Sequence, residues 1–547
     1  MSVLRLESKH IVFSLGVLCV CLLYGVLNNG NFCGLAKEPT VDQNSVNVAR
    51  SNETLSIPED TVSVRQFGAK GDGITDDTAA FVAAISSGKA VYVPTGNYRI
   101  NKVITLANDL IMYGDGNGSV LDWSDSVLTG HAFNITGSFT QIAQIKDASI
   151  GDNKIVFTSE HGLKISDVFC IANPTDYSWS LRRPYYRAGE MCEVVGVDGL
   201  TVFVSDKLND SYKGADVNAY RMNSRNVVLR NFKVKAETPF DAHSAQLLHI
   251  YACKNPVVEN ITAENVTGGY STIVFQKCFG VRGTNLHVYL RGTNSNDHGL
   301  SINNCQRVLV EGGSFYGRRH GIAIGGTGGE DGWSVINRDV KIVNATISSL
   351  DQYSADMHGC SEYVEYDGCK IQNGADFSGS NNSYINCEIT SRQNGVCIYG
   401  AEILGGAMRI ENCFLKSTAN PRLVKRGFID FGGNSNAISK KVKRDLTIVI
   451  KNCKLDLKNV YAPGSHFIRL VNRGAEKIIN FDISEFTLLN STQKHIVLSI
   501  AKTADSIPDK SDYIVVTDIT GLSQGSVLLE RENGYLKSTN ARLQEPK

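Results

Sequence analysis

The sequence predicts an all-β chain: a single-stranded right-handed parallel β-helix with an N-terminal capping helix and a small antiparallel β insertion. Three observations carry this. A short unit of β-branched strand, Asn/Gly/Asp bend and second strand recurs through the second half of the chain. Ahead of it lies a segment with one amphipathic helix between strands. Between the two, apolar and polar residues alternate with turn signals, as antiparallel hairpins require.

The repeats include NVVLRNFKV (226–234), PVVENITAE (256–264), RVLVEGGSF (307–315), DVKIVNATI (339–347), AMRIENCFL (407–415) and LTIVIKNCKL (446–455). Neighbours are mostly about 18 to 32 residues apart, too short for a propeller blade and without helical period. Each unit reads as one solenoid coil of three short strands, with apolar residues inward and stacked on the coils above and below. Asn suits the bends because it tolerates the left-handed backbone region and can bond its neighbour in the next coil. Asn231, Asn260, Asn344, Asn386, Asn412 and Asn452 are therefore expected at equivalent bends.

Of 547 residues, 42% are apolar and 20% charged, so a sizeable core can be buried. Lys plus Arg and Asp plus Glu balance at 55 each, which argues against a nucleic-acid binder working through a basic field. A polyanion would have to be held by a local cluster. Arg5 and Lys9 precede an apolar run at 11–27, and small residues follow at 34–36, so residues 1–36 read as a signal peptide or membrane anchor. The expected location is secreted or in the cell envelope, with residues 11–27 as the tether if uncleaved. Residues 37–60 read as a linker, 61–139 as cap and first coils, 140–222 as the insertion, 223–490 as the β-helix, and 491–547 as C-terminal strands and tail.

Several of the 14 cysteines recur in one context: Asn304-Cys305, Gly368-Cys369, Asn386-Cys387, Asn412-Cys413 and Asn452-Cys453. Such recurrence predicts a ladder of buried free thiols at one bend, with a few disulfides as the alternative. No Cys/His cluster has zinc spacing, so neither a metal nor a cofactor is indicated.

A solenoid needs a cap over its open strand edges. In 61–100 a strand leads to Gly71-Asp72-Gly73 and then to a helix. Its N-cap is expected at Thr75, its first turn at Asp76 and Asp77, its apolar face at Phe81, Val82 and Ile85, and its end at Gly88. The run FGAKGDGITDDTAAFVAAI followed by VYVPTGNYRI resembles the opening signature of the pectate-lyase-like β-helix superfamily, which includes phage tailspike depolymerases, polysaccharide lyases and alginate C5-epimerase modules. The resemblance implies an acidic polysaccharide as partner and, through the tailspikes, a homotrimer. It is specific for fold and weak for reaction. The export-like N-terminus weighs against a phage tailspike.

Within the insertion, the loop SWSLRRPYYRAGE (178–190) gathers Arg182, Arg183, Arg187, Tyr185 and Tyr186. Arginines that pair with carboxylates and aromatic faces that suit sugar rings would line a saccharide cleft; packing of the loop on the helix is the alternative. In the central coils three His-Gly pairs precede short strands: Asp297-His298-Gly299, Arg319-His320-Gly321 and Met357-His358-Gly359. As register equivalents they would stack three histidines on one solvent-facing side, about 4.8 Å apart, close enough to shift one another's pKa. A purely structural stack of neutral histidines is the alternative. Arg318 and Asp376 complete the set of substrate-binding candidates.

Tyr353-x-x-Asp356-x-His358 is similar to the catalytic motif of the alginate epimerase modules. That resemblance implies Tyr353 as proton donor or acceptor, His358 as its acid/base counterpart and Asp356 as the positioning group. Arg319 or Arg318 would neutralise the uronate carboxylate before the C5 proton is removed, and His320 joins the catalytic set. The Pro of that motif is Met357 here, and no calcium-binding nonapeptides follow. Two other readings stand beside this lyase or epimerase: a glycoside hydrolase using a pair among Asp297, Asp356 and Asp376, and a non-catalytic glycan-binding surface protein.

Overall fold

In a computed structural model of the chain, the described residues are 60–126, 130–176, 186–236, 246–265, 271–290, 297–326, 333–400, 402–418, 427–431, 445–458, 460, 466–472, 479–502, 513–524, 526–532 and 540–543. The predicted signal or anchor at 1–36, with its tether at 11–27, lies outside them, as do Arg182, Arg183 and Tyr185. Among the described residues no helix is long and apolar enough to cross a membrane.

The repeats wind into a right-handed parallel β-helix. One face is a 13-stranded sheet running from Ile104–Leu106 to Val527–Glu532, parallel at every pairing. Alternation along each strand decides what points in. In His320–Gly325, Ile322 and Ile324 enter the core, stacked by register on Leu300 and Ile302 of the previous coil and on Ala355 and Met357 of the next. The outward residues of the same strands form straight rows, and this places the candidate site.

The bends are Asn ladders. Asn231, Asn260, Asn344, Asn386, Asn412 and Asn452 all have φ between 49° and 56°. The Asn260 amide donates to Asn231 at 2.9 Å, Asn285 to Asn260 at 2.9 Å, Asn412 to Asn386 at 3.2 Å and Asn452 to Asn412 at 2.8 Å. Where the ladder holds glycine instead, a Cβ at Gly368 would sit 2.4 Å from Asn344 Oδ1, so a side chain there would have to displace the Asn344 amide.

The described cysteines are free and buried, but the five in the recurring Asn/Gly-Cys context fall at two corners rather than one. Cys369, Cys387, Cys413 and Cys453 follow the Asn ladder, each Sγ donating to a carbonyl of the preceding coil. Cys305 belongs elsewhere, with Cys278, whose N–H it accepts at 3.3 Å. Its Asn304 neighbour had suggested a single ladder; the dipeptide recurs at two different corners of the coil.

At the cap, the helix spans Thr78–Ser86. It begins later than Thr75 because the Asp77 carboxylate is held by the turn before the helix, while Asp76 reaches forward to Thr78. Asp77 accepts the N–H groups of Lys70 and Gly71 at 2.7 and 3.0 Å, while Asp76 accepts that of Thr78 at 3.0 Å. Phe81 and Ile85 are buried as expected, whereas Val82 is 43% exposed and Ala84 takes its place against the core.

The insertion is a six-stranded antiparallel sheet ordered Lys154–Val156, Thr201–Val204, Arg187–Asp198, Val168–Asp176, Asn218–Asn223, Ser138–Gln141. It has its own core around Phe157, Phe169, Ile171 and Val202. A second apolar cluster, with Val168, Cys170 and Met191 on one side and Phe279, Trp333 and Val335 on the other, seats it on the helix. Arg338 of the helix is buried in that seam. It lies 2.8 Å from Glu362, 3.3 Å from Glu190 of the insertion and 3.9 Å from Asp210, while Tyr212 donates to Glu190 at 2.7 Å. Burial pushes the Glu190 carboxyl up, and Arg338 opposes that shift.

Candidate active site

Parallel register decides which residues meet. His298 pairs with His320, and their rings are 5.0 Å apart. The next coil pairs Ala355 with Ile322 and Met357 with Ile324, so the register partner of His320 is Tyr353 and that of Gly325 is His358. The expected stack of three histidines is thus a pair followed by a tyrosine. The coil from His320 to its partner is 33 residues long, and His358 stands five residues beyond that partner. Nor do these side chains face solvent: His298, His320, Tyr353 and Asp356 are all buried, and His358 is half-buried.

His358 nevertheless joins the group through Asp356. Its Nε2 is 2.7 Å from Asp356 Oδ2, and the same oxygen is 3.6 Å from His320 Nε2. On its other side, His358 Nδ1 is 2.6 Å from the hydroxyl of Tyr186. The partners assign the protons. His320 Nδ1 contacts the Tyr353 carbonyl at 2.5 Å; a carbonyl only accepts, so in neutral His320 Nδ1 carries the hydrogen and Nε2 presents a lone pair toward Asp356. Neutral His358 has the opposite tautomer, Nε2–H toward the carboxylate and Nδ1 accepting from Tyr186.

Burial, reinforced by the neighbouring His320, pushes His298 well below the usual imidazole range. Burial likewise brings His320 down to about 4, although Asp356 pulls the other way. Both are therefore neutral near pH 7. Arg319 adds its charge to the forces lowering both. It is half-buried, and its N–H donates to the Asp297 carbonyl at 2.8 Å.

The remaining candidates separate. Arg318 turns to Asp351 at 2.7 Å, and Asp297 is fully buried. Asp376 follows Asp356 by one coil in the same row, where it accepts from Ser378 at 2.5 Å. Tyr353 stacks on Tyr399 at 5.3 Å with Arg392 over its ring. Arg187 is half-buried and bonds the Tyr186 carbonyl at 3.4 Å. Tyr186 itself is 1% exposed, packed with Ala188, Ile336, Cys360 and Leu404, so it is not an open platform for a sugar ring. Sequence reasoning missed Glu402, whose carboxylate accepts the Gly359 N–H at 3.0 Å and so pins the residue after His358. It stands beside no motif, and only the winding of the coils brings it there. Among the described residues no cluster could hold a metal ion.

Three family models match the chain. One described as Gp49, pectin lyase-like, covers residues 266–525; one described as rhamnogalacturonase A/epimerase, pectate lyase-like, covers 61–169; and one described as tailspike protein-like, Ig-like domain, covers 120–222. The preneck appendage protein of Bacillus phage PZA is 31% identical over 222 residues, 32% of this chain and 26% of that protein. Alginate lyase 7 of Azotobacter vinelandii is 34% identical over 108 residues, 17% of this chain and 13% of that enzyme. The chain thus spans about a quarter or less of these curated relatives. The crystal structure of the tailspike protein gp49 from Pseudomonas phage LKA1 superposes with a TM-score of 0.81 at 29% identity, covering 88% of this chain and 84% of that one.

Proposed function

We propose that this chain, a member of the pectate-lyase-like superfamily, acts on an acidic polysaccharide by removing the C5 proton of a uronate residue. The observation that carries the reading is the line of proton-carrying groups from the Tyr186 hydroxyl through His358 to Asp356, with the His320 lone pair 3.6 Å further on. Such a line can accept a proton at one place and return one at another. Arg319, beside the histidines, is the group that neutralises the uronate carboxylate, without which the carbanion would carry two negative charges. Expulsion of the O4 substituent then gives a lyase, and reprotonation from the opposite face gives an epimerase. The short stretch similar to an alginate lyase supports a polysaccharide substrate, and the likeness to a phage tailspike over 88% of the chain is in keeping with it.

A hydrolytic reading has one specific observation in its favour. Asp356 and Asp376 are one coil apart in the same row, about 4.8 Å, near the roughly 5–5.5 Å carboxyl separation of retaining glycosidases. The experiment that decides is incubation of the full chain with uronate-containing polysaccharides in D2O. Ultraviolet absorbance of an unsaturated uronate, or deuterium at C5, is the expected result. New reducing ends with neither signal would overturn proton abstraction in favour of the Asp pair.

A further inference from the structure

The antiparallel insertion is joined to the β-helix by a buried seam, and Tyr186, just before its Arg187–Asp198 strand, reaches His358, which is only half-buried. We propose that Tyr186 is a positioning residue that fixes the tautomer and ring orientation of His358, which makes the insertion a working part of the acid/base site rather than an appendage. This rests on the proton-transfer reading above.

The geometry leaves His358 little freedom. Its backbone N–H donates to the Ile324 carbonyl at 2.9 Å, and the following N–H is held by Glu402 at 3.0 Å. Its ring lies over Gly325, where a Cβ would come within 2.7 Å of Nδ1. The ring therefore occupies space that any side chain at 325 would fill. What remains undetermined is which nitrogen carries the proton, and the two partners answer that. The Asp356 carboxylate, 2.7 Å away, favours the proton on Nε2 by its charge; a tyrosine hydroxyl can donate, so Tyr186 takes the Nδ1 lone pair. Without the hydroxyl, Nδ1 would lose its donor, and the preference would rest on Asp356 alone. Among the described residues, the charged and titratable groups around the ring are Asp356 on its own strand, His320 and His298 on the preceding coils, Glu402 from two coils on and Tyr186 from the insertion.

Placement of Tyr186 depends on the seam. Ala188, two residues on, packs in the same apolar cluster, and Glu190, four residues on, meets the buried Arg338. A short stretch of one strand thus carries both the anchor of the insertion and its contact with the site.

The test is Tyr186→Phe in the full chain, which keeps the ring in its apolar cluster and removes only the hydroxyl. With 15N-histidine labelling, wild-type His358 is expected to show the pure Nε2–H pattern. The variant is expected to show a mixture of tautomers with an unchanged melting curve. On an active uronate substrate its kcat should fall by at least about tenfold with KM held, a part of the roughly 10²–10⁴ that positioned acid–base catalysis contributes. An unchanged 15N pattern for His358 overturns the proposal whatever the activity. A changed pattern in a chain whose wild type turns over no uronate polymer supports the positioning role and overturns proton abstraction instead. Gly325→Ala serves as the control, since it should displace the same ring from the strand side and give the same loss of kcat.

Discussion

At the residue scale the site is governed by what each imidazole is allowed to hold. His298 and His320 are neutral because burial makes their charged forms costly, and His320 titrates near 4 instead of its usual 6.5. The sign of the consequence follows. The unfolded chain takes up a proton on His320 as pH falls through 6.5, while the folded chain refuses it until about 4. The stabilisation from His320 is therefore complete above 6.5 and is lost between 6.5 and 4, at a slope of up to about 1.4 kcal/mol per pH unit, and His298, also lowered, adds in the same direction. Melting temperatures measured from pH 7 to pH 4 should fall, and His320→Gln should flatten part of that fall; a variant that declines as steeply as wild type would contradict the buried neutral state. The motif Tyr353-x-x-Asp356-x-His358 made two of the central residues legible, because Asp356 and His358 lie on adjacent outward positions of one short strand and its continuation. The third was not, since Tyr353 meets His320 through its carbonyl. Tyr186 stands 172 residues from His358, and no local pattern reports a contact made by docking one subdomain on another.

At the element scale the bends were the most legible feature, because one residue type satisfies two demands at once. Asn tolerates positive φ, and its amide spans the gap to the next coil. Asn412 has φ 55°, donates to Asn386 and accepts from Asn452. Asn412→Ala should therefore cost about 1–2 kcal/mol for the left-handed backbone and about 0.5–1.5 kcal/mol for each lost hydrogen bond. Asn412→Gly should cost only the hydrogen-bond part, so the order of melting temperatures is wild type, then Gly, then Ala. Equal losses for Gly and Ala would show that backbone strain at this bend is unimportant. Elements whose ends depend on long-range partners were less legible. The cap helix starts at Thr78 because Asp77 is occupied by Lys70 and Gly71, a choice between two nearby acceptor geometries that composition does not resolve. The histidine stack failed for a related reason. Coils differ in length, so a repeated His-Gly dipeptide marks a common position only where both copies fall at the same register of their strands, as His298 and His320 do.

For the whole described unit, the question is what makes a β-helix and an antiparallel sheet act together. Apolar burial at the seam, from Val168, Met191, Phe279 and Trp333, supplies attraction without direction. Direction comes from ions that cross the seam. Arg338 is enclosed between Glu362 of its own helix and Glu190 of the insertion. A buried guanidinium with two carboxylates is satisfied only in one docking geometry, and removing one partner strands the others. Arg338→Met leaves Glu190 and Glu362 facing each other without a cation, which by comparison with other broken buried pairs costs about 3–5 kcal/mol. The solenoid's stacked core does not include this residue, so the loss should fall on the seam first. Hydrogen exchange should then accelerate through the 187–198 strand, which carries Glu190, while the strands at 320–325 and 298–303 keep their protection. Because Tyr186 directly precedes that strand, the 15N pattern of His358 should change in the same variant. Accelerated exchange throughout the solenoid would mean instead that Arg338 supports the helix itself, and seam exchange without any change at His358 would separate the docking of the insertion from the chemistry of the site.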